Sequence, residues 1–147
     1  MICGVAWATP DKASGTLNYK GKAVNLGHAY LIKGPDSVDP ATVIRRLVLT
    51  KQDIGAKLQG CKTMSCVDGE VTEGLIVDLL SGPRFGYWMA INGAMIQYSG
   101  TLRPSVLQAS TDDDKRLAGK LSFDDGAAGG PKVDVEFDAS MLKELAA

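Results

Sequence analysis

No uninterrupted apolar run in this chain approaches the ~20 residues that a helix needs to cross a bilayer, so no membrane-spanning helix is expected. An excess of one charge sign is missing too: 16 Lys and Arg face 17 Asp and Glu, for a formal charge of -1. Without a basic stripe there is no footprint for nucleic acid, and without a Lys/Arg cluster there is none for an anionic membrane surface. Histidine occurs once, at His28, and cysteine three times. Neither a G-x-S-x-G nucleophile motif nor a D-x-D-x-D-G calcium loop is present. These absences lead us to expect no cofactor and no bound metal.

Apolar content is ordinary, so a disordered chain is also excluded. A chain of 147 residues fits one domain and buries roughly two-thirds of its unfolded surface on folding. Metals or several disulfides are therefore not needed for stability.

The C-terminal third carries the plainest pattern. Leu117, Leu121 and Phe123, then Val133, Val135 and Phe137, alternate with charged or small residues around the glycine-rich stretch 124–130. Successive strand side chains point to opposite faces, so the spacing predicts two half-buried antiparallel strands. Earlier segments repeat the theme. Strands are expected over 16–19, 23–33, 43–49, 70–80, 85–91 and 94–98, separated by Lys20-Gly21, by Gly34-Pro35 with Asp39-Pro40, and by Ser81-Gly82-Pro83. Asn92-Gly93 between two apolar runs is the strongest short hairpin signal. Gly74 reads as a bulge marker inside its strand. Helix is expected over 52–58, where Ile54 and Leu58 are four apart, and as a short C-terminal turn over 140–147. Regular short strands with turn signals predict an all-β antiparallel sandwich, with a barrel as the alternative.

At the N-terminus, residues 1–8 are apolar, and Ala6-Trp7-Ala8 has the small-x-small form of a signal-peptidase site. Two readings stand: the remnant of a signal peptide ahead of a domain over 9–147, or an apolar first strand. Cys61 and Cys66 are the cysteines left after residues 1–8. Their short loop brings two Cα atoms into disulfide range, and an oxidising compartment would close it. Two free thiols, or half of a zinc site lacking its other ligands, are the alternatives.

Candidate sites are few. Tyr87, Trp88 and Tyr98 surround the Asn-Gly hairpin and offer contact area with a polar handle, as recognition surfaces do. A core position for Trp88 is the alternative. His28 shares a strand side with Tyr30 and Ile32, which suits a satisfied boundary histidine; catalysis would need a nucleophile and an acid beside it. The acidic runs Asp112-Asp113-Asp114 and Asp124-Asp125 read as turn chemistry. Ala127 to Gly130 joins two strands and leads into no helix, unlike a phosphate loop. Arg45-Arg46 in a strand puts one guanidinium on each face.

The segments Gly15-x-Leu17, Gly21-Lys22 and Leu26-x-His28-Ala29-Tyr30, with 118–123 and 133–139, resemble exported bacterial β-sandwich proteins of unknown function. The resemblance covers the two ends better than the middle and implies an immunoglobulin-like, exported protein, periplasmic or secreted, with no catalytic signature. The expectation is a non-enzymatic binding module contacting a protein or glycan through an edge strand or the aromatic hairpin. The alternatives are a small hydrolase or accessory domain using His28, or a structural subunit of a surface assembly.

Overall fold

The computed structural model describes residues 12–36, 39, 41–79, 85–91 and 94–145, giving the backbone alone over 94–102 and at 104 and 128. The apolar N-terminus with Ala6-Trp7-Ala8, and the Asn92-Gly93 pair, lie outside the described residues.

Alternating sequence becomes strand almost throughout. The strands are β1 (Lys12–Tyr19), β2 (Lys22–Pro35), β3 (Val43–Thr50), β4 (Gly74–Leu79), β5 (Phe85–Ile91), β6 (Ala94–Leu102), β7 (Leu107–Asp112), β8 (Arg116–Asp124) and β9 (Lys132–Glu144). Two short helices, α1 (Gly55–Gln59) and α2 (Met64–Glu70), sit between β3 and β4. The chain is all-β.

Where the sequence suggests two stacked sheets, the structure has one ladder in the order β6-β5-β4-β3-β2-β1-β9-β8-β7. Alternation fixes which residues face inward and is silent on where hydrogen bonding breaks. Here it does not break, because β9 lies against β1 from Asn18 opposite Lys132 to Lys12 opposite Asp138 and joins the two halves. The sheet curls on itself. Tyr87 of β5 meets Phe123 of β8 with ring centroids 5.2 Å apart. At another point Arg45 of β3 reaches Asp112 of β7 at 2.7 Å.

Local chemistry sets the register. Lys20 and Gly21 both have positive φ, 48° and 82°, as a two-residue type I′ turn requires, and Tyr19 lies opposite Lys22. Between Lys12 and Gly15 the β1–β2 register shifts by one. This irregularity lets Val24 and Leu26, then Ala29 and Leu31, face inward, and turns Tyr30 and Ile32 outward.

Two apolar cores result. The concave interior gathers Leu17, Leu31, Leu47, Leu75, Tyr87, Leu121, Val135 and Phe137, among others. Each fully buried large side chain stabilises by roughly 1.5–3 kcal/mol. The second core lies on the outer face of β2 to β5, where Tyr30, Ile32, Val48 and Ile76 pack against Ile54, Leu58, Met64 and Val67 of the helical segment. Being covered on both faces explains why β3 carries apolar residues at the consecutive positions Leu47, Val48 and Leu49. The outer face of β8 and β9 has no such cover and stays polar, with Lys120, Asp134 and Glu136 exposed.

Three expectations change. The strand predicted over 70–80 starts at Gly74, and Glu70 instead closes α2, which Thr63 caps, its Oγ1 accepting from the Cys66 amide. Gly74, expected to mark a bulge, pairs in unbroken register with Thr50 and Ala90, and an added Cβ there would stand 2.2 Å from the Leu49 carbonyl oxygen. The tail expected to be helical is strand as far as Glu144. Beyond Lys12, where the described part of β1 begins, β9 runs on beside β2 in parallel, with Leu31 opposite Met141.

Candidate functional site

The β5–β6 hairpin ends the sheet, and its aromatic residues are divided between the faces. Tyr87 lies opposite Val77 and Trp88 opposite Ile76 on the neighbouring β4. Tyr87 points inward and is fully buried; beside its contact with Phe123, its hydroxyl donates to Asp125 Oδ2 at 2.6 Å. Trp88 points outward and is half-buried. Tyr98 lies in β6, where its backbone alone is described. The pairing here is irregular: Tyr87 faces Gly100 and Met89 faces Ile96, so Trp88 alone stands against Gln97, Tyr98 and Ser99. A bulge at a sheet edge re-aims side chains and interrupts strand pairing. The fold thus brings Trp88 and Tyr98 into one stretch of ladder and places Tyr87 in the interior.

Beneath Trp88 lies a charged cluster that the sequence reading did not assemble. The Arg46 guanidinium carbon stands 5.7 Å from the Trp88 ring centroid. Arg46 Nε donates to Asp78 Oδ1 at 2.6 Å and Nη2 to Asp78 Oδ2 at 3.0 Å. Its Nη1 donates to Asp68 Oδ1 at 2.6 Å and to the Met64 carbonyl at 3.1 Å. Arg46 and Asp78 are both buried among the strands, while Asp68 on α2 is partly open. Burial opposes the Arg46 charge, but the hydrogen bonds and charge of Asp78 overcome it and hold the proton more firmly than in a free arginine. Burial, with the Asp78 charge behind it, pushes the Asp68 carboxyl up despite the pull of Arg46. One guanidinium therefore ties α2 to β3 and β4 and supports the β5 indole. Part of the signal was legible: Asp78 is a lone charge inside an apolar run, and Arg45-Arg46 must send one guanidinium to each face of its strand.

Cys61 and Cys66 are joined as a disulfide, with Cα atoms 5.5 Å apart. Cys61 is buried beneath the helices and Cys66 is half-buried on α2. Glu70 lies one turn beyond Cys66, and its carboxylate and both sulfurs fall within 4.8 Å of one another. Among the described residues this is the one grouping of three groups able to ligate a metal.

His28 is half-buried opposite Thr50 on β3. The nearby Asp53 carboxyl is held below the usual range chiefly by the Gly55 amide and the Tyr30 hydroxyl. Tyr30 Oη donates to Asp53 Oδ1 at 2.8 Å and accepts from the Ile54 amide at 3.0 Å. Burial, reinforced by Asp53, raises the Tyr30 hydroxyl to about 12. The Thr50 hydroxyl is engaged with the Gln52 carbonyl at 2.6 Å.

The acidic runs are tied into turns. Asp113 Oδ1 accepts from the amides of Lys115 and Arg116, and Asp124 Oδ1 from the amide of Gly126. Arg45 takes Asp112, while Arg46 faces the opposite side, so the two guanidinium groups do part to opposite faces. On the open outer face, Arg116 Nε donates to Asp138 Oδ1 at 2.7 Å. The two line a shallow depression of about 440 Å³ with Gln108, Ser110, Lys120 and Glu136.

No helix among the described residues is long and apolar enough to cross a membrane. The chain matches no protein-family model, no curated protein and no solved structure.

Proposed function

We propose that this chain is a non-enzymatic binding module of the bacterial periplasm or exterior that recognises a protein partner through the β5–β6 edge. The observation that carries this reading is the bulge at the outermost strand, where Gln97, Tyr98 and Ser99 stand against Trp88. Exposed apolar area offers no competing surface, since Val43 is the one large apolar side chain left exposed among the described residues. The edge is also well supported, because Tyr87 anchors β5 to the interior and Arg46 backs Trp88 from outside. Aromatic residues on a rigid support are the usual anchors of a recognition site. The disulfide supports an oxidising compartment. Two halves of a curled sheet facing each other across Tyr87 and Phe123 are compatible with the immunoglobulin-like resemblance, which also favours export.

The test compares native protein with a Tyr98→Ala variant of unchanged melting temperature, using bacterial envelope extract and a photo-crosslinker at Gln97 or, as a control, Gln108. Crosslinks at Gln97 and not Gln108, with affinity lowered about tenfold or more in the variant, support the reading. A glycan as the captured species, or identical behaviour of native and variant protein, overturns it.

A second reading is a small hydrolase centred on His28, half-buried opposite Thr50, with Asp53 as the carboxylate it would need. A His28→Ala variant that keeps its fold and every measured interaction removes it.

A further inference from the structure

We propose that the cysteine pair is also a zinc site in its reduced state, with Cys61, Cys66 and Glu70 as the protein ligands. The geometry carries it. Cys66 and Glu70 are four residues apart on α2, which places them on one face of that helix. Cys61 comes from the connection between α1 and α2, and the three donor atoms lie within 4.8 Å of one another. Two thiolates and a carboxylate are a donor set that suits Zn²⁺. Cys61 is buried while Cys66 and Glu70 are partly open, so solvent has access to complete a four-coordinate shell with a water.

The disulfide and the metal are alternative closures of the same connection, because bonded sulfurs offer no thiolate. A dithiol reductant supplies two electrons and two protons, leaving as its own disulfide, and the S–S bond becomes two thiols. Zn²⁺ then displaces a proton from each thiol and binds the two thiolates and the Glu70 carboxylate. Either closure keeps the start of α2 in place. The Met64 carbonyl and Asp68 carboxylate that hold Arg46 both belong to that helix. In the reducing state a zinc ion takes over the mechanical role that the disulfide has in the oxidised one.

The test is zinc titration against a chromophoric chelator, using oxidised and reduced native protein, Glu70→Gln, Cys61→Ser/Cys66→Ser and His28→Ala. All are checked for fold by circular dichroism. The expected result is one zinc per reduced chain, none on the oxidised chain or the double serine variant, and unchanged binding in His28→Ala. Binding should weaken tenfold or more in Glu70→Gln. Zinc should also restore the melting temperature that reduction lowers, in native protein and not in the double serine variant. A reduced native chain that binds no zinc overturns the proposal, as does a Glu70→Gln variant that binds as tightly as native.

Discussion

Arg46 and Asp78 stand directly opposite each other on neighbouring antiparallel strands, and their side chains close a two-point hydrogen bond at 2.6 and 3.0 Å. Register and chemistry agree here: strand pairing delivers the two Cα atoms, and the planar guanidinium matches the carboxylate. Since Asp68, the Met64 carbonyl and the Trp88 ring meet the same guanidinium, one side chain coordinates strands β3, β4 and β5 with helix α2.

Replacing Arg46 with leucine leaves Asp78 buried without its cation. The expected loss is about 3–5 kcal/mol in denaturant-derived stability, with near-ultraviolet dichroism reporting a changed Trp88 environment. A double replacement, Arg46→Leu with Asp78→Leu, should recover much of the loss. A double variant no more stable than the single one would mean that the pair matters through specificity of packing and not through the stranded charge.

Tyr30 gives an alkaline signature. Its hydroxyl ionises near 10 in the unfolded chain and at about 12 in the folded one. The unfolded state therefore releases its proton first as pH rises. The Tyr30 contribution is complete below pH 10 and falls away between 10 and about 12, by on the order of 2–3 kcal/mol. Urea midpoints across that range should drop steeply in native protein and more gently in Tyr30→Phe. At neutral pH the same variant should already be weaker, because the Ile54 amide loses its acceptor and Asp53 a donor.

Gly15 and Gly27 make a paired test. A Cβ at Gly15 would stand 2.1 Å from the Asp134 carbonyl oxygen and 2.4 Å from Val135 Cα, both backbone atoms of β9. Nothing lies within 4 Å of one at Gly27. Gly15→Ala should cost more than about 3 kcal/mol or prevent folding, because the β1–β9 pairing that unites the sheet must open. Gly27→Ala should melt within a few degrees of native. Equal melting temperatures for the two variants would contradict the observed approach of β1 to β9.

Reduction of the disulfide should cost modestly. A loop this short closes with little chain entropy, so loss of the bond in metal-free buffer should lower stability by about 2 kcal/mol. Unfolding followed by dichroism with and without reductant checks the magnitude. The unfolding should stay cooperative, because the concave core does not include either cysteine.

Much of the fold was written in local pattern. Alternation at 117–123 and 133–137 gave strands with the correct inward faces, and Lys20-Gly21 gave the first hairpin. The Cys61–Cys66 spacing pointed to the bond that forms. Helix α2 was not foreseen, since it lies in a stretch whose only local mark is the Thr63 cap. The strand character of 140–144 comes from pairing with β2 and has no signature of its own.

Sequence alone determined the all-β character, the inward side chains of β8 and β9 and the parting of Arg45 from Arg46, because each depends on the two-residue period of a pleated strand. Tertiary structure alone decided that the ladder is continuous and curled, that Tyr87 lies inside while Trp88 stands over Arg46, and that Glu70 meets the sulfurs. Those outcomes depend on which distant segments pair, and pairing is fixed by the joint burial of residues far apart in the chain.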